Sequence, residues 1–221
     1  MTELRLVASA PEPDPAVLGA MAPVQLPPGR HGLPPDLVRA NQRQRLLEAA
    51  TTALAEQGYG RLTAARVTEL AGVSSRTFYQ HFEDLWACLL AAYEAEAASL
   101  CDGIEAACAA AGEDDRRERA EAGVAAALDQ LAAEPAVARL LSAEPPPQVT
   151  ALAGARRNLA DRLAAMLHGV LEPGRATPLP GLERRLIGAA LALVAARSAS
   201  GEPQGLRALE PELSELLLAS F

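Results

Sequence analysis

Aromatic residues are scarce in this chain: it has one Trp, three Tyr and three Phe, or 3% of 221 residues. Half of the residues are nevertheless hydrophobic, so the core must be built mostly from Ala, Leu and Val. Ala and Leu lead the ranking of helix propensity, and residues that favour strands are sparse, with no convincing alternating run. The sequence therefore predicts an all-α protein, with about nine helices.

Long apolar runs are also missing. The longest uncharged apolar run, LIGAALALVAA over residues 186–196, has about half the length that crosses a bilayer. The first residues, MTELRLVASAPEP, do not form a secretory signal, because charge and proline interrupt the apolar run. We therefore expect a cytoplasmic protein that has no membrane as a partner.

Cysteine and histidine are too few for most catalytic or metal sites. Cys88, Cys101 and Cys108 are odd in number and lack metal-type spacing, so buried thiols are expected, with a reactive-thiol sensor as the less favoured alternative. His31 and His168 complete no nucleophile–base arrangement that the sequence supports. We expect no metal, no cofactor and no enzymatic activity.

Lysine is absent, and all twenty basic residues are arginine. The net charge of −8 with a pI near 5.0 argues against nucleic acid at first sight. The charge is uneven, however: residues 39–82 contain six arginines against three glutamates. Because nucleic acid responds to the field of the docked face, this segment is a candidate, although ordinary fluctuation of charge remains open.

Proline and glycine divide the chain into three parts. Residues 1–37 are predicted to be a flexible proline-rich tail, 38–92 a small helical domain and 93–221 a larger helical domain. In the small domain Asn41, Thr63, Ser74 and Asp84 are predicted N-caps. Further helices are predicted over 117–133, 135–143, 149–171, 182–198 and 206–219.

The segment VTELAGVSSRTFYQHF, residues 67–82, has the pattern of two helices and a turn. Gly72 stands where a left-handed residue must end the first helix, and Ser74 begins the second. Phe78 and Phe82 are four residues apart, so they share a face and anchor the second helix.

The opposite face of this helix is polar. Ser75, Arg76, Tyr79 and Gln80 project together, away from the two Phe side chains. Hydroxyl, guanidinium and amide groups match base edges and phosphates in a major groove, which favours a DNA-reading helix. A capped hairpin with a solvated outer face is the alternative that these residues alone leave open.

The run AGVSSRTFYQHFEDLWACLLAAYE resembles the helix-turn-helix of the TetR family of transcriptional regulators. The similarity covers roughly residues 41–93, and the segment GRHGLPPDLVRANQRQRLLEAA resembles the entry of many actinobacterial members. The resemblance implies a three-helix DNA-binding domain followed by a helical domain for effector binding and dimerisation.

The resemblance also assigns roles to individual residues. Thr63, Tyr79 and His81 match positions that contact phosphates, and the base-reading positions lie between them. The implied DNA-binding set is Thr63, Ser74, Ser75, Arg76, Thr77, Tyr79, Gln80 and His81. For His81 a partly buried hydrogen-bonding role stays open, as does simple packing for Tyr79. Arg76 stands where a small residue is common, and Leu85 where lysine is common, so operator preference does not transfer.

Two apolar stripes near the end of the chain favour a homodimer. They occur in the helices predicted over 182–198 and 206–219, and small residues in the first would allow close approach. The predicted interface is Leu186, Leu193, Val194, Leu209, Leu213 and Leu216. Plain core packing is the alternative for both stripes.

The effector can be described only by the chemistry around it. No aromatic residue lies between Tyr93 and Phe221, so an aromatic cage for cations is not expected. The expected pocket has Leu, Ala and Val walls with Met166 and the polar candidates Gln130, Asn158, Arg162 and His168. This lining favours an apolar or acyl-like ligand, while a structural role for His168, or no effector at all, remains open.

These expectations together predict a repressor that a small apolar effector releases from a near-palindromic operator in double-stranded DNA. The alternative is a helical homodimer whose helix-turn-helix binds protein instead of DNA. Salt-dependent binding to a palindromic fragment separates the two.

Overall fold

The computed structural model describes residues 34–112, 115–171, 181–199 and 204–218. Most of the predicted tail, residues 1–33, lies outside this range. The described residues form ten α-helices and one 3₁₀ turn, with no strand among them. The all-α prediction is confirmed, and nine of these helices are longer than a single turn.

The first four helices build the N-terminal part of the fold: α1 Pro35–Gln57, α2 Ala64–Ala71, α3 Ser75–His81 and α4 Leu85–Ala110, with the 3₁₀ turn Tyr59–Arg61 between α1 and α2. The other six are α5 Arg116–Ala133, α6 Pro135–Ser142, α7 Thr150–Leu171, α8 Leu182–Ala199, α9 Gln204–Arg207 and α10 Glu210–Leu218.

The first helix begins earlier than its sequence suggests. Asn41 does not cap it: Pro34 occupies the cap position and Pro35 the first turn. Proline suits that position because its ring presets φ and its missing N–H would have no helical partner there. Asn41 instead lies inside α1, with its Oδ1 buried and without a hydrogen-bond partner in the described part of the chain.

The turn between α2 and α3 has the predicted geometry. Thr63 Oγ1 accepts from the Arg66 amide, and Ser74 Oγ accepts from the Thr77 amide. Gly72 is left-handed, with φ 61° and ψ 38°. Its N–H donates to the Glu69 carbonyl, and the next amide, that of Val73, donates to the Thr68 carbonyl. This pair of bonds is a Schellman motif, which ends α2 at one defined angle.

The predicted last helix is divided in two. Pro211 lies in the first turn of α10, and a turn over residues 208–209 separates that helix from α9. Inside a helix that began at residue 206, Pro211 would lack the N–H donor and its ring would clash with the carbonyl of Arg207, so a continuous helix over 206–219 is disfavoured. The other predicted helices after Asp84 agree with the structure within one residue at each end.

One continuous hydrophobic cluster joins the small N-terminal helices to the larger C-terminal part. It includes Leu46 of α1, Leu89 of α4, Leu140 of α6 and Leu213 of α10. The fourth helix is therefore not the single connection between the two parts. α1 also packs on α6, and Arg139 Nη1 donates to the Ala55 carbonyl across that contact at 2.6 Å.

None of the helices in the described ranges is both long enough and apolar enough to span a membrane.

Candidate DNA interface and ligand cavities

Two aromatic side chains fix the position of α3. Phe78 is completely buried and Phe82 is 7% exposed, and their ring centroids lie 5.9 Å apart. Burying an aromatic side chain of this size supplies several kcal/mol to the fold, roughly 3–5 when measured by truncation to Ala. α3 is only seven residues long, so these anchors rather than its own propensity hold it in place.

The outer face of α3 carries polar groups into solvent. Ser75, Arg76 and Gln80 are exposed, and Tyr79 is 61% exposed. Simple packing does not account for Tyr79, although its ring meets the Phe78 ring edge-on at 5.2 Å. Four different hydrogen-bonding side chains are thus presented on one short rigid helix, the arrangement that major-groove reading requires.

Ser74 and Thr77 play a more local part than the other predicted contacts. Their hydroxyl oxygens lie 2.9 Å apart, and Ser74 also caps α3. Thr77 is half-buried. Of the eight predicted DNA-binding residues, these two are already engaged with each other.

The N-terminal half of α1 extends the positive surface beside α3. His81 Nε2 lies 3.5 Å from Gln42 Oε1, and the Arg43 guanidinium lies 5.3 Å from the Phe82 ring centroid. Burial lowers the pKa of His81, and the nearby charges of Arg39 and Arg43 lower it further. The imidazole is therefore neutral at pH 7, and it offers one N–H rather than a positive charge.

The arginines of residues 39–82 have different interactions. Arg66 is paired with Glu56 at 3.0 Å and with Glu69 at 3.1 Å, so its charge is offset. Arg45 donates to the Ala71 carbonyl and, at 3.4 Å, to the Gly72 carbonyl, and so binds the C-terminal end of α2. Arg39, Arg43 and Arg76 form no ion pair within the described residues.

The role of Arg45 was missed by sequence reasoning, which counted it only as positive charge. A cation in α1 that binds the last carbonyls of α2 holds the helix-turn-helix angle against the first helix. The sequence offers one weak signal for this role. Arg45 lies one helical turn before Ala49, which is buried, so both residues lie on the side of α1 that faces other helices.

Thr63 is exposed at the start of α2, with its hydroxyl oxygen accepting from the Arg66 amide. Its O–H remains available to donate, and free backbone amides surround it at the helix terminus. A phosphate is the ligand that such a terminus favours.

An apolar cavity of about 130 Å³ lies inside the C-terminal part. Its walls come from α4, α5, α7, α8 and α10, and they are hydrocarbon apart from the sulfur atoms of Met166 and Cys108. Burial raises the pKa of the Cys108 thiol, so no charge reaches the cavity from that side. A cavity lined in this way stays dry and accepts apolar ligands.

Of the five predicted pocket residues, the structure brings only Met166 to this cavity. Asn158 and Arg162 are exposed on the outer side of α7. Gln130 Nε2 donates to Ser99 Oγ at 3.1 Å, and His168 Nδ1 lies 3.3 Å from the buried Glu183 carboxylate. Gln130 and His168 thus connect neighbouring helices around the cavity, and none of the four polar candidates lines it.

The predicted dimer residues lie mostly inside the protomer. Leu186, Val194, Leu209 and Leu213 are all buried, while Leu193 and Leu216 are half-buried. Both stripes therefore pack in the core of a single chain, because α8 packs on α6 and α7, and α10 packs on α5 and α8. The outward side of α8 carries small residues instead: Gly188, Ala189, Ala192 and Ala196 are exposed.

No group of three or more His, Cys, Asp or Glu side chains is placed to hold a metal ion in the ranges that the structure describes.

Comparison with known proteins places the N-terminal helices in a family. Residues 46–92 match the family described as bacterial regulatory proteins, tetR family. The match begins within α1 and ends in the first third of α4, so it contains the whole two-helix unit and its turn. No curated protein matches the chain.

Solved structures share the fold over most of the chain. The fatty acid degradation regulator FadR from Bacillus halodurans is 21% identical, with a TM-score of 0.69 over 80% of this chain and 98% of its own. FadR from Bacillus subtilis, solved in complex with stearoyl-CoA, is 17% identical, with a TM-score of 0.65 over 80% and 98%.

A TetR-like transcriptional regulator from Rhodococcus sp. RHA1 is 20% identical, with a TM-score of 0.64 over 85% of this chain and 97% of that one. At these identities the likeness to solved structures shows the fold alone. Residues 46–92 thus form an N-terminal domain that matches the tetR family, and the chain shares its fold with solved TetR-like transcriptional regulators.

Proposed function

We propose that this protein is a repressor that binds a near-palindromic operator as a homodimer and leaves it when an acyl-chain ligand enters the apolar cavity. The observation that carries the DNA-binding part is the outer face of α3, where Arg76, Tyr79 and Gln80 are exposed while Phe78 is completely buried. Residues 38–92 act as the reading head in this proposal, and residues 93–221 as the effector-binding and dimerisation domain.

The outward side of α8 is the proposed dimer face, in place of the leucine stripes that lie inside the protomer. A Cβ added at Gly188 would meet no atom within 4 Å, and the neighbouring exposed positions are alanines. Such small, uncharged residues let two helices approach closely around a two-fold axis. A two-fold dimer carries two identical reading heads, which explains the expected palindrome.

The ligand class follows from the lining of the cavity. FadR from Bacillus subtilis was solved with stearoyl-CoA, and hydrocarbon walls in this chain favour an acyl chain of the same kind. The cavity volume of about 130 Å³ is close to the ~150 Å³ that holds one benzene. A long chain therefore fits only if helices move apart, and α4, which lines the cavity with Leu100 and Ile104, begins beside the reading helix.

Base reading by Arg76 gives the first test. Arg76→Ala is expected to weaken operator binding by about 1–3 kcal/mol and to relax base preference at one position per half-site. The measurement is fluorescence anisotropy on operator fragments recovered from genomic DNA, with single base changes at each position.

The matched variant is Tyr79→Phe, which removes one hydroxyl from the neighbouring exposed face. It is expected to weaken binding equally on all sequences, because a phosphate contact carries no sequence information. Uniform weakening by Arg76→Ala, or an altered base preference in Tyr79→Phe, would contradict these assignments.

Linkage between ligand and operator gives the second test. Lauroyl-CoA is expected to lower operator affinity by about 5–150-fold, and operator DNA to lower lauroyl-CoA affinity by the same factor. Coenzyme A without an acyl chain is the control and should have no effect. Ala127→Leu, which fills part of the cavity, should abolish the response while leaving operator binding intact.

Equal affinity of lauroyl-CoA with and without operator would rule out this ligand as the inducer. The alternative, a helix-turn-helix that binds protein, would be favoured if no recovered DNA fragment bound with the steep salt dependence of phosphate contacts.

A further inference from the structure

A second cavity lies at the junction between the DNA-binding helices and the C-terminal helices. It has a volume of about 430 Å³, and we call it the junction cavity. One wall is the end of α1 with the 3₁₀ turn, from Leu54 to Tyr59, and the other comes from α6 and α8. It is separate from the apolar cavity, since the two share no lining residue.

Two residues of its lining, Tyr59 and Ser198, carry hydroxyl oxygens that are buried and have no hydrogen-bond partner in the described part of the chain. A buried hydroxyl without a partner is unfavourable, so native structures rarely keep one without a reason. Burial raises the pKa of Tyr59 to about 12, so the phenol stays protonated and is available as a donor.

The lining of the junction cavity contains one arginine, Arg139, and one glutamate, Glu56. Arg139 donates through Nη1 to the Ala55 carbonyl at 2.6 Å, which leaves its other N–H groups for a ligand. The Glu56 carboxylate is already engaged, because it pairs with Arg66 at 3.0 Å. The remaining walls include Leu54 and Ala195, which are apolar.

We propose that the junction cavity is a binding site for a small organic carboxylate with an apolar body. The carboxylate accepts from Arg139 and from the two unpartnered hydroxyls, and the apolar walls take the rest of the molecule. Because one wall belongs to the DNA-binding helices and the other to the C-terminal helices, the ligand holds the two parts in one relative position.

Trp86 provides the signal for a test. It is the single Trp of the chain, and its ring centroid lies 6.5 Å from that of Tyr59. The probes are cyclohexanecarboxylate and cyclohexanecarboxamide, which have nearly the same shape and differ in charge. The full-length protein is expected to bind the carboxylate saturably, and at least about tenfold more tightly than the amide, as charge-assisted hydrogen bonds require.

Tyr59→Phe and Ser198→Ala make the test specific. Each removes a hydroxyl that has no partner in the unliganded protein, so each should leave the melting temperature unchanged or raised. Each should nevertheless weaken carboxylate binding by about tenfold. Arg139→Gln should remove the preference for carboxylate over amide.

Two control variants locate the site. Ala190→Leu, in the wall of the apolar cavity, and Arg162→Gln, an exposed arginine on α7, should both leave carboxylate binding unchanged. The proposal is overturned if carboxylate and amide bind equally, if neither binds, or if Tyr59→Phe binds the carboxylate as the wild type does. None of these measurements depends on operator binding, so the proposed repressor function is tested separately.

Discussion

Phe78→Ala is expected to lower the free energy of unfolding by about 3–5 kcal/mol, because it removes a completely buried aromatic ring and leaves a void under the reading helix. α3 has seven residues and is too short to persist without its anchor. Denaturant unfolding followed by circular dichroism measures the change. Loss of the anchor should also abolish operator binding before global unfolding sets in.

Tyr79→Ala is the matched control, since it removes a ring of similar size one residue further along the same helix. Tyr79 is 61% exposed, so its stability should change by less than about 1 kcal/mol, while operator binding falls. If Phe78→Ala and Tyr79→Ala cost the same stability, the distinction between the anchored and the reading face of α3 would be wrong.

Local chemistry explains why the helix-turn-helix could be predicted. The caps at Thr63, Ser74 and Asp84 and the left-handed Gly72 each depend on hydrogen bonds within a few residues of sequence. Such bonds are specified by the residue type itself. The start of α1 carries a local signal of the same kind, because proline is favoured in a first helical turn, whereas the predicted cap Asn41 lies inside the helix.

The walls of the cavity could not be predicted, because they depend on which side of a long helix faces inward. Asn158 and Arg162 of α7 are four residues apart and share a face, and that face is exposed. Leu163 and Met166, on the opposite side, line the apolar cavity. The sequence placed Met166 and α7 in the wall and predicted a mostly apolar lining, but it also placed polar residues there, where the structure has hydrocarbon and sulfur.

The same difficulty affected the dimer prediction. A leucine stripe predicts that a helix buries one face, and it does not say whether the neighbour belongs to the same chain. Here α6 and α7 pack against α8, and α5 packs against α10, while Val194 and Leu213 line a cavity within the protomer. The surface left for a partner is marked by the absence of large side chains, a weaker signal in sequence.

The proposed dimer face leads to the largest expected effect. Ala192→Glu places a charge in the centre of the exposed small-residue face of α8, where a second copy would bury it without a partner. We expect monomers by light scattering, with a normal helical spectrum and melting temperature. Because each monomer holds a single reading head, operator affinity should fall by about 100-fold or more, as the avidity of two linked heads is lost.

Two further variants separate this result from trivial causes. Ala151→Glu places the same charge at an exposed position on α7 and should stay dimeric with full operator affinity. Leu213→Glu buries the charge within one protomer, where Leu213 is 4% exposed, so it should unfold the chain and not merely divide a dimer. Ala192→Glu protein that remains dimeric would place the interface on another surface, and Leu213→Glu protein that is folded but monomeric would return it to the leucine stripe of α10.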